Sequence, residues 1–257
     1  MKKILFLAIV VISFSCSQKK QEAPKNSDLN ADNLKGPVEQ TTSTDFKVDS
    51  SGKMSDQDSC CVVTVKYNEK GYISDYSSAD KSGENVEKGV YSHYDNGAMK
   101  DIKMSKNGKQ TNAISISVDK DGKYSGAQEF DSSNKLEYYY ADMKENDFGG
   151  LAGLKQYKPD STLKSSMTST FDSALRTGGE SMDSVGKVIY SSSQKLDDNK
   201  NVIEETSMTV TKDSTINKVT TYKYDGMDAN GNWTEKTEID ANGKPVKITK
   251  REITYYK

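Results

Sequence analysis

A short turn motif that recurs along most of the chain limits its possible folds more than any other feature. Each copy has an aromatic or aliphatic residue, a polar residue that is often Asp, two variable residues, then Gly, Asn or Ser, one further residue and an apolar one. Clear copies are VDSSGKM at 48–54, YNEKGYI at 67–73, VDKDGKY at 118–124, FDSSNKL at 130–136, YKPDSTL at 157–163, MDSVGKV at 182–188, LDDNKNV at 196–202 and VTKDSTI at 210–216. Such a period indicates one supersecondary unit that is copied many times.

Each position of the motif has a physical role in reversing the chain. The Asp or Asn side chain closes the turn on its own backbone. The Gly or Asn supplies the residue with positive φ that a hairpin with a bulge requires. Gly71 and Gly122 are therefore predicted to have positive φ, and the sequence predicts a hairpin at every copy.

The segments between turns show a strict period of two, as in 163–171 and 246–253. Alternation that is rich in Thr, Tyr, Val and Ile is typical of half-buried antiparallel strands. The predicted fold is therefore all-β, a long antiparallel meander of about 14 strands, which is too many for a flat sheet and should curl or close into a barrel. One stretch, 141–156, has apolar residues at helical spacing with Gly nearby, and it is predicted to be a short helix or, preferably, a wide loop.

The N-terminus has the order of an export signal. Lys2 and Lys3 precede an apolar run, 4–14, which is about half the ~20 residues that a membrane-spanning helix needs, so we expect it to be cleaved. Residues 17–32 lack apolar periodicity and predict a flexible tether of roughly 20–25 Å. The order of charged residues, apolar run, Ser15 and Cys16 resembles a bacterial lipoprotein signal, which implies cleavage before Cys16 and its lipidation. Ordinary secretory cleavage after Ser15 or Ser17 is the less favoured alternative, and either cleavage exports the chain.

The chain resembles a known group of proteins in two places. The string YKYDGMDANGNWTEKTEIDANGKPVKITKREITYY at 222–256 is similar to the YD (Rhs-like) β-hairpin repeats of Bacteroidota lipoproteins of unknown function, and 33–46 resembles the first strand of those domains. The resemblance covers 33–257 and implies a β domain there and an envelope location, but no reaction. With the N-terminal pattern, we expect a lipoprotein signal peptide at 1–15 and an anchor on Cys16 with a tether to residue 32. Because neither an Asp nor an acidic stretch follows Cys16, we expect an outer-membrane lipid anchor that faces the periplasm.

Composition limits the partners and cofactors. The 36 basic and 38 acidic residues nearly balance, so no nucleic-acid partner is predicted. The chain has one His and, besides Cys16, only the adjacent Cys60 and Cys61, which are too few ligands for a metal or redox site. We expect free thiols there, because a bridge between adjacent cysteines distorts the peptide. No cofactor is predicted, and the oligomeric state stays open.

The candidate ligand-binding residues are aromatic. Tyr138, Tyr139 and Tyr140 place two rings on one strand face and one on the other, and together with Trp233 they suggest a stacking platform for sugar rings. Core packing is the preferred alternative, because aromatic rings are common on half-buried pleated surfaces. Trp233 is accordingly expected to pack against the adjoining hairpin.

Two further chemistries are weaker. The D-x-[DN]-G strings at 119–122, 228–231 and 240–243 lack the bidentate Glu that calcium loops use, and hairpin turns explain them. His93 beside Asp95 and the acidic pairs 197–198 and 204–205 suggest hydrolysis, but adjacent strand residues face opposite ways and no G-x-S-x-G motif is present. The sequence therefore predicts a noncatalytic envelope lipoprotein that acts as a binding or scaffold module for a glycan, peptide or lipid. The alternative is a periplasmic hydrolase whose carboxylates meet across strands.

Overall fold

A computed structural model describes residues 23–49 and 51–257. For residues 56–61 it describes the backbone only. The described residues form one short helix and sixteen strands. The helix is α1 (Asp28–Ala31), and the strands are β1 (Val38–Val48), β2 (Met54–Tyr67), β3 (Ile73–Ala79), β4 (Glu87–His93), β5 (Met99–Lys106), β6 (Lys109–Val118), β7 (Tyr124–Asp131), β8 (Leu136–Glu145), β9 (Leu151–Tyr157), β10 (Leu163–Asp172), β11 (Leu175–Asp183), β12 (Val188–Leu196), β13 (Val202–Val210), β14 (Thr215–Met227), β15 (Trp233–Ile239) and β16 (Pro245–Tyr255). The helix in the described part of the chain is too short to cross a membrane.

The strands form a closed antiparallel barrel in which the order around the wall is the order along the chain. Each strand pairs with the strands before and after it, and β1 closes the barrel by pairing with β16 over 38–47 and 247–255. The prediction of an all-β meander that curls or closes is confirmed. The strands described number sixteen, against about 14 expected from a unit of about thirteen residues.

The predicted helix or wide loop at 141–156 is wrong, because this stretch is another hairpin. β8 ends at Glu145 and β9 begins at Leu151. The Asn146 side chain accepts hydrogen bonds from the backbone N–H of Phe148 (2.9 Å) and of Gly150 (2.8 Å), and Gly149 has a φ of 77°. Local turn chemistry and pairing with neighbouring strands therefore prevail over the helical spacing of four apolar residues.

The recurring turns have the predicted geometry. Gly71 and Gly122 have φ values of 84° and 77°, which confirms the prediction for both. In the turn at 119–123, the Asp119 carboxylate accepts from the backbone N–H of Asp121 (2.8 Å) and of Lys123 (3.0 Å). The turn at 240–244 repeats this pattern. The Asp of the motif thus holds the turn through its own side chain, as the sequence indicates.

Residues 23–35, which we call the N-terminal plug, close one end of the barrel. The plug bonds to several turns at that end: Leu29 N–H donates to the Gly71 carbonyl (3.1 Å), Asn33 Nδ2 to the Asn199 carbonyl (3.0 Å), and Lys35 N–H to Asn232 Oδ1 (2.8 Å). The tether predicted at 17–32 is therefore wrong for residues 23–32. The large apolar residue of this stretch, Leu29, is by itself too little to produce a periodic pattern. Cys16, the signal peptide and residues 17–22 lie outside the described residues.

The apolar core lies where the plug meets the barrel. Leu29, Leu34, Val38 and Tyr67 form a buried cluster, and Leu29 and Val38 are only 3% and 0% exposed. Barrels of this strand number enclose a lumen too wide for wall side chains to fill. The plug therefore supplies apolar contact that the wall by itself cannot make.

Alanine at Gly71 and at Gly243 should separate the cost of the plug contact from the cost of the turn. Both glycines have positive φ, but a Cβ on Gly71 would lie 2.9 Å from Leu29 Cδ1, whereas a Cβ on Gly243 would meet nothing within 4 Å. We expect Gly243→Ala to lose about 1–2 kcal/mol of unfolding free energy from backbone strain, and Gly71→Ala to lose roughly 1–3 kcal/mol more from overpacking. Urea unfolding measures both, and equal losses would contradict the packing of the plug.

Candidate ligand-binding cavity

A cavity of about 250 Å³ lies inside the barrel beneath the plug. Its roof is made by the plug, and its wall by residues of β11 to β15 and of the turn between β12 and β13. Aromatic, charged and amide side chains dominate the lining; the main ones are Asp32, Asn33, Arg176, Gln194, Lys200, Glu205, Tyr222, Tyr224, Trp233 and Lys236. The cavity is therefore a polar compartment with aromatic walls.

Strand register explains why these side chains meet. Gln194 pairs with Glu205, and Tyr224 pairs with Lys236, so each pair shares one face of the wall. Alternate residues of a strand face opposite sides. Glu205 accordingly lines the cavity, whereas Glu204 points to the outer face and forms an ion pair of 2.7 Å with Lys195. The prediction that two adjacent acidic residues cannot flank one substrate is confirmed for this pair.

Trp233 is held by its neighbours on both sides along the wall. Its ring lies 5.9 Å from that of Tyr224 at a tilt of 49°, and the Arg251 guanidinium lies 3.6 Å from the ring centroid. Arg251 Nε also donates to the Trp233 carbonyl (3.0 Å). The packing expected against the adjoining hairpin is thus present, and the same indole contributes to the cavity wall.

The ammonium of Lys236 lies between two aromatic rings. Its Nζ is 5.1 Å from the ring centroids of both Tyr222 and Trp233. The neighbouring carboxylates, Glu238 and Asp45, instead bind Lys247 at 2.7 and 3.1 Å. Burial lowers the pKa of Lys236, and the charge of Glu238 opposes that shift. Among the described residues, none places an oxygen within hydrogen-bonding distance of this ammonium.

Several other polar groups of the wall have partners within the barrel. The Glu205 carboxylate accepts from Gln194 Nε2 at 3.0 Å. Burial, reinforced by the charge of Glu205, raises the pKa of Tyr222 to about 12, so its hydroxyl stays protonated at neutral pH. The Tyr224 hydroxyl donates to the Val202 carbonyl (2.9 Å). The wall therefore presents hydroxyl, amide, carboxylate and ammonium groups in fixed positions.

Asp32 carries a carboxylate from the plug into the cavity. It accepts a hydrogen bond of 2.7 Å from the Tyr67 hydroxyl. Enclosure by the barrel wall raises the pKa of Asp32 to about 6, and the hydrogen bond from Tyr67 opposes that shift. The side chain nevertheless reaches the water of the cavity, which screens the charge and reduces its energetic effect.

The tyrosines predicted from the sequence lie elsewhere. Strand β8, which carries them, is seven steps from β15 in the strand order, so the predicted platform with Trp233 is not assembled. Tyr139 stacks on Tyr157 at 5.1 Å, and Lys164 lies 3.6 Å from the Tyr138 ring. The Tyr140 hydroxyl donates to Glu129 and accepts from Gln156. These rings therefore interact with their neighbouring strands.

The residues considered for hydrolysis or for metal binding are also far from one another or already bonded to other groups. His93 stacks on Tyr72 at 5.2 Å, and its Nε2 lies 3.7 Å from Asp28 of the plug rather than beside Asp95. The Asp228 carboxylate accepts from the N–H groups of its own turn, at residues 230 and 232. Within the described residues, no cluster of three or more His, Cys, Asp or Glu side chains is arranged to hold a metal ion.

The cavity residues that the sequence did not reveal are Asp32, Tyr222, Tyr224 and Lys236, whereas Glu205 was among the acidic residues considered for hydrolysis. Alternation alone shows that Tyr222 and Tyr224 share one strand face. Which face is inward, and which residues lie opposite, depends on the register between strands. The sequence signal that could have indicated this wall is the pair of tyrosines, Tyr222 and Tyr224, on the strand before the single tryptophan, Trp233.

Comparisons with known proteins show the fold. No protein-family model and no curated protein sequence matches the chain. The crystal structure of a porin-like protein from Bacteroides uniformis matches with a TM-score of 0.54 and 12% identity over 86% of this chain and 99% of that one. A porin-like protein from Bacteroides vulgatus matches with a TM-score of 0.43 and 10% identity over 85% of this chain and 98% of that one. The first likeness establishes a shared barrel fold and nothing about activity.

Asparagine at Asp32 should alter the pH dependence of stability. Because folding raises this pKa from 3.8 to about 6, the folded state binds the proton more tightly and gains stability as the pH falls through about 6. Wild type should therefore gain stability between pH 7.5 and pH 5. Asp32→Asn should be at least as stable as wild type at pH 7.5 and should show a smaller gain, as measured by urea unfolding.

Asp240→Asn is the matched control for this prediction. Backbone hydrogen bonds hold the pKa of Asp240 below its ordinary value, so its stabilisation disappears only at more acidic pH than this window. Asp240→Asn should show the same change of unfolding free energy between pH 7.5 and pH 5 as wild type. If Asp32→Asn gains as much unfolding free energy as wild type between pH 7.5 and pH 5, enclosure does not raise the pKa of this carboxyl.

Proposed function

We propose that this chain is a noncatalytic binding module of the cell envelope that takes one small polar ligand into the cavity beneath the plug. The observation that supports this most directly is the cavity itself, which combines aromatic walls with fixed polar groups of both charges. Ligand sites of proteins typically have this character, with a few polar groups that orient the ligand between apolar or aromatic walls.

The volume and lining of the cavity favour a ligand of the size of one sugar ring. A volume of about 250 Å³ lies just below the roughly 300–1,000 Å³ of common ligand sites. A lipid acyl chain would separate Glu205 and Lys236 from water without offering them hydrogen bonds, which is costly. A sugar provides both hydroxyl groups for the polar side chains and an apolar ring face for Tyr222 or Trp233.

The hydrogen bonding of the cavity carboxylates supports binding over catalysis. The cavity carboxylates of Asp32 and Glu205 already accept hydrogen bonds from Tyr67 and Gln194. The periplasmic hydrolase remains the competing proposal, because both carboxylates line one cavity and the pKa of Asp32 is raised. Release of nitrophenol from nitrophenyl glycosides by wild type, with loss of that activity in Glu205→Gln, would establish the hydrolase and contradict a noncatalytic role.

For location, we propose a lipid anchor on Cys16 that holds the barrel in the periplasm at the outer membrane. The order of charged, apolar and small residues before Cys16 supports it, as does the resemblance to Bacteroidota lipoproteins. The outer wall carries ion pairs beside the cavity-lining strands, Lys195 with Glu204 and Lys223 with Asp225. Charged residues on the outer wall suit a domain that stands in water, since lipid-facing strands are apolar there.

Serine at Cys16 tests the anchor. Cys16→Ser should move the protein from the membrane fraction to the soluble periplasmic fraction, because acyl chains and not the polar barrel hold it to the bilayer. Cys60→Ser, which removes a different thiol, should leave the protein in the membrane fraction. Fractionation followed by immunoblotting measures both, and membrane association that persists in Cys16→Ser would refute lipidation.

Phenylalanine at Ala31 tests the cavity. Ala31 lies in the plug and lines the cavity, so a large ring there should fill the space in which the ligand is expected. Wild type should show a change of Trp233 fluorescence on titration with a panel of neutral and acidic monosaccharides, and Ala31→Phe should bind at least about tenfold more weakly, or about 1.4 kcal/mol. Dipeptides and fatty acids in the panel test the other ligand classes.

Val185→Phe is the matched control, because Val185 is 85% exposed in a turn at the other end of the barrel. It should bind as wild type does. Equal sugar binding by Ala31→Phe would place the ligand elsewhere on the protein.

A further inference from the structure

We propose that the cavity selects a sugar ring that carries one carboxylate, of the uronic acid class, and that Lys236 is the residue that recognises this charge. The inference rests on the proposed function, since it names the ligand class of the same cavity. It is carried by the position of an ammonium that has aromatic neighbours but no oxygen partner.

Lys236 and Lys247 face the same interior and differ in their partners. Lys247 Nζ lies 2.7 Å from a Glu238 oxygen and 3.1 Å from an Asp45 oxygen, so its charge is compensated. Lys236 has only the rings of Tyr222 and Trp233, each at 5.1 Å. An ammonium has three N–H donors, and ring faces attract its charge without accepting strong hydrogen bonds. Lys236 therefore depends on the water of the cavity for acceptors, and a bound carboxylate would replace that water with stronger, charge-assisted hydrogen bonds.

The other charged groups of the cavity are already paired or lie at a distance along the wall. Glu205 accepts from Gln194, and Asp32 accepts from Tyr67. Lys200 forms an ion pair with Asp172. Arg176 enters the same cavity from β11, four strands from β15, and offers a second set of donors to the far side of a ligand. The cavity thus has its uncompensated positive charge beside the aromatic rings.

The charge balance favours a carboxylate over a phosphate. A sugar phosphate carries about −1.5 to −2 charges at neutral pH, and the carboxylates of Asp32 and Glu205 in the same cavity would repel it more strongly than they would a singly charged carboxylate. A carboxylate brings a single negative charge, and a uronic acid is no larger than the corresponding neutral sugar. Because the Tyr222 and Trp233 rings lie 5.1 Å from the ammonium, a sugar bound through its carboxylate to Lys236 would have aromatic rings beside it.

The test is a calorimetric titration of the mature chain with D-glucuronate and D-galacturonate, with D-glucose, D-galactose and glucose 6-phosphate as comparison ligands. In wild type, a uronate should bind at least about tenfold more tightly than the matching neutral sugar. Lys236→Met keeps the length of the side chain and removes its charge, so it should bind acid and neutral sugar alike. Lys236→Gln repeats the test should the methionine variant fail to fold.

Lys223→Met is the matched control, because Lys223 lies between Tyr222 and Tyr224 on the outer face of the same wall, where it pairs with Asp225. It should keep the wild-type preference for the acid. Neutral sugars that bind as tightly as uronates, or a preference that survives in both Lys236 variants, would overturn the inference and leave the proposed function standing. Tighter binding of glucose 6-phosphate would overturn the carboxylate assignment, and no binding of any sugar would overturn both proposals.

Discussion

The pairing of β1 with β16 is the constraint on which the rest of this structure depends. It joins the two ends of a meander, so the sheet has no open edge at which another chain could pair. It also fixes an interior that the wall residues must line. At the seam, Thr249 donates to Asp45 at 2.6 Å and Lys247 bridges Asp45 and Glu238, so polar groups inside the barrel satisfy one another across the closing strands.

Closure creates a lumen that is too wide for the wall side chains to fill. At one end, the N-terminal plug fills part of it. Leu29 and Leu34 bring the apolar contact, Asn33 and Lys35 bond to the turns, and Asp32 extends into the cavity. The segment that stabilises the barrel is therefore also the roof of the candidate site. Changes that loosen the plug should affect stability and ligand access together, which is why the cavity is tested with a substitution at Ala31 that faces open space.

The chemistry of the cavity follows from which charges the wall neutralises and which it does not. Carboxylates and amides are paired with one another along the strands, as Glu205 is with Gln194. Lys236 is enclosed between two rings and has no oxygen partner among the described residues. A polar interior in which Lys236 and, on the far side of the cavity, Arg176 have no carboxylate partner among the described residues is better suited to recognising a small anion than to packing as a core.

Local structure follows from the sequence alone, whereas what the strands and turns enclose depends on contacts between distant segments. Turn chemistry and the period of two act within a few residues, so hairpins, positive φ at Gly71 and the opposite faces of Glu204 and Glu205 were predictable. The plug and the candidate cavity were not, because they depend on register and on contacts between distant segments. The hairpin at 141–156 has the same local turn chemistry, at Asn146 and Gly149, and it was missed because the apolar residues there also fit a helical spacing. Asp32 and Lys236 lie about two hundred residues apart in the chain and share one cavity only because the barrel closes.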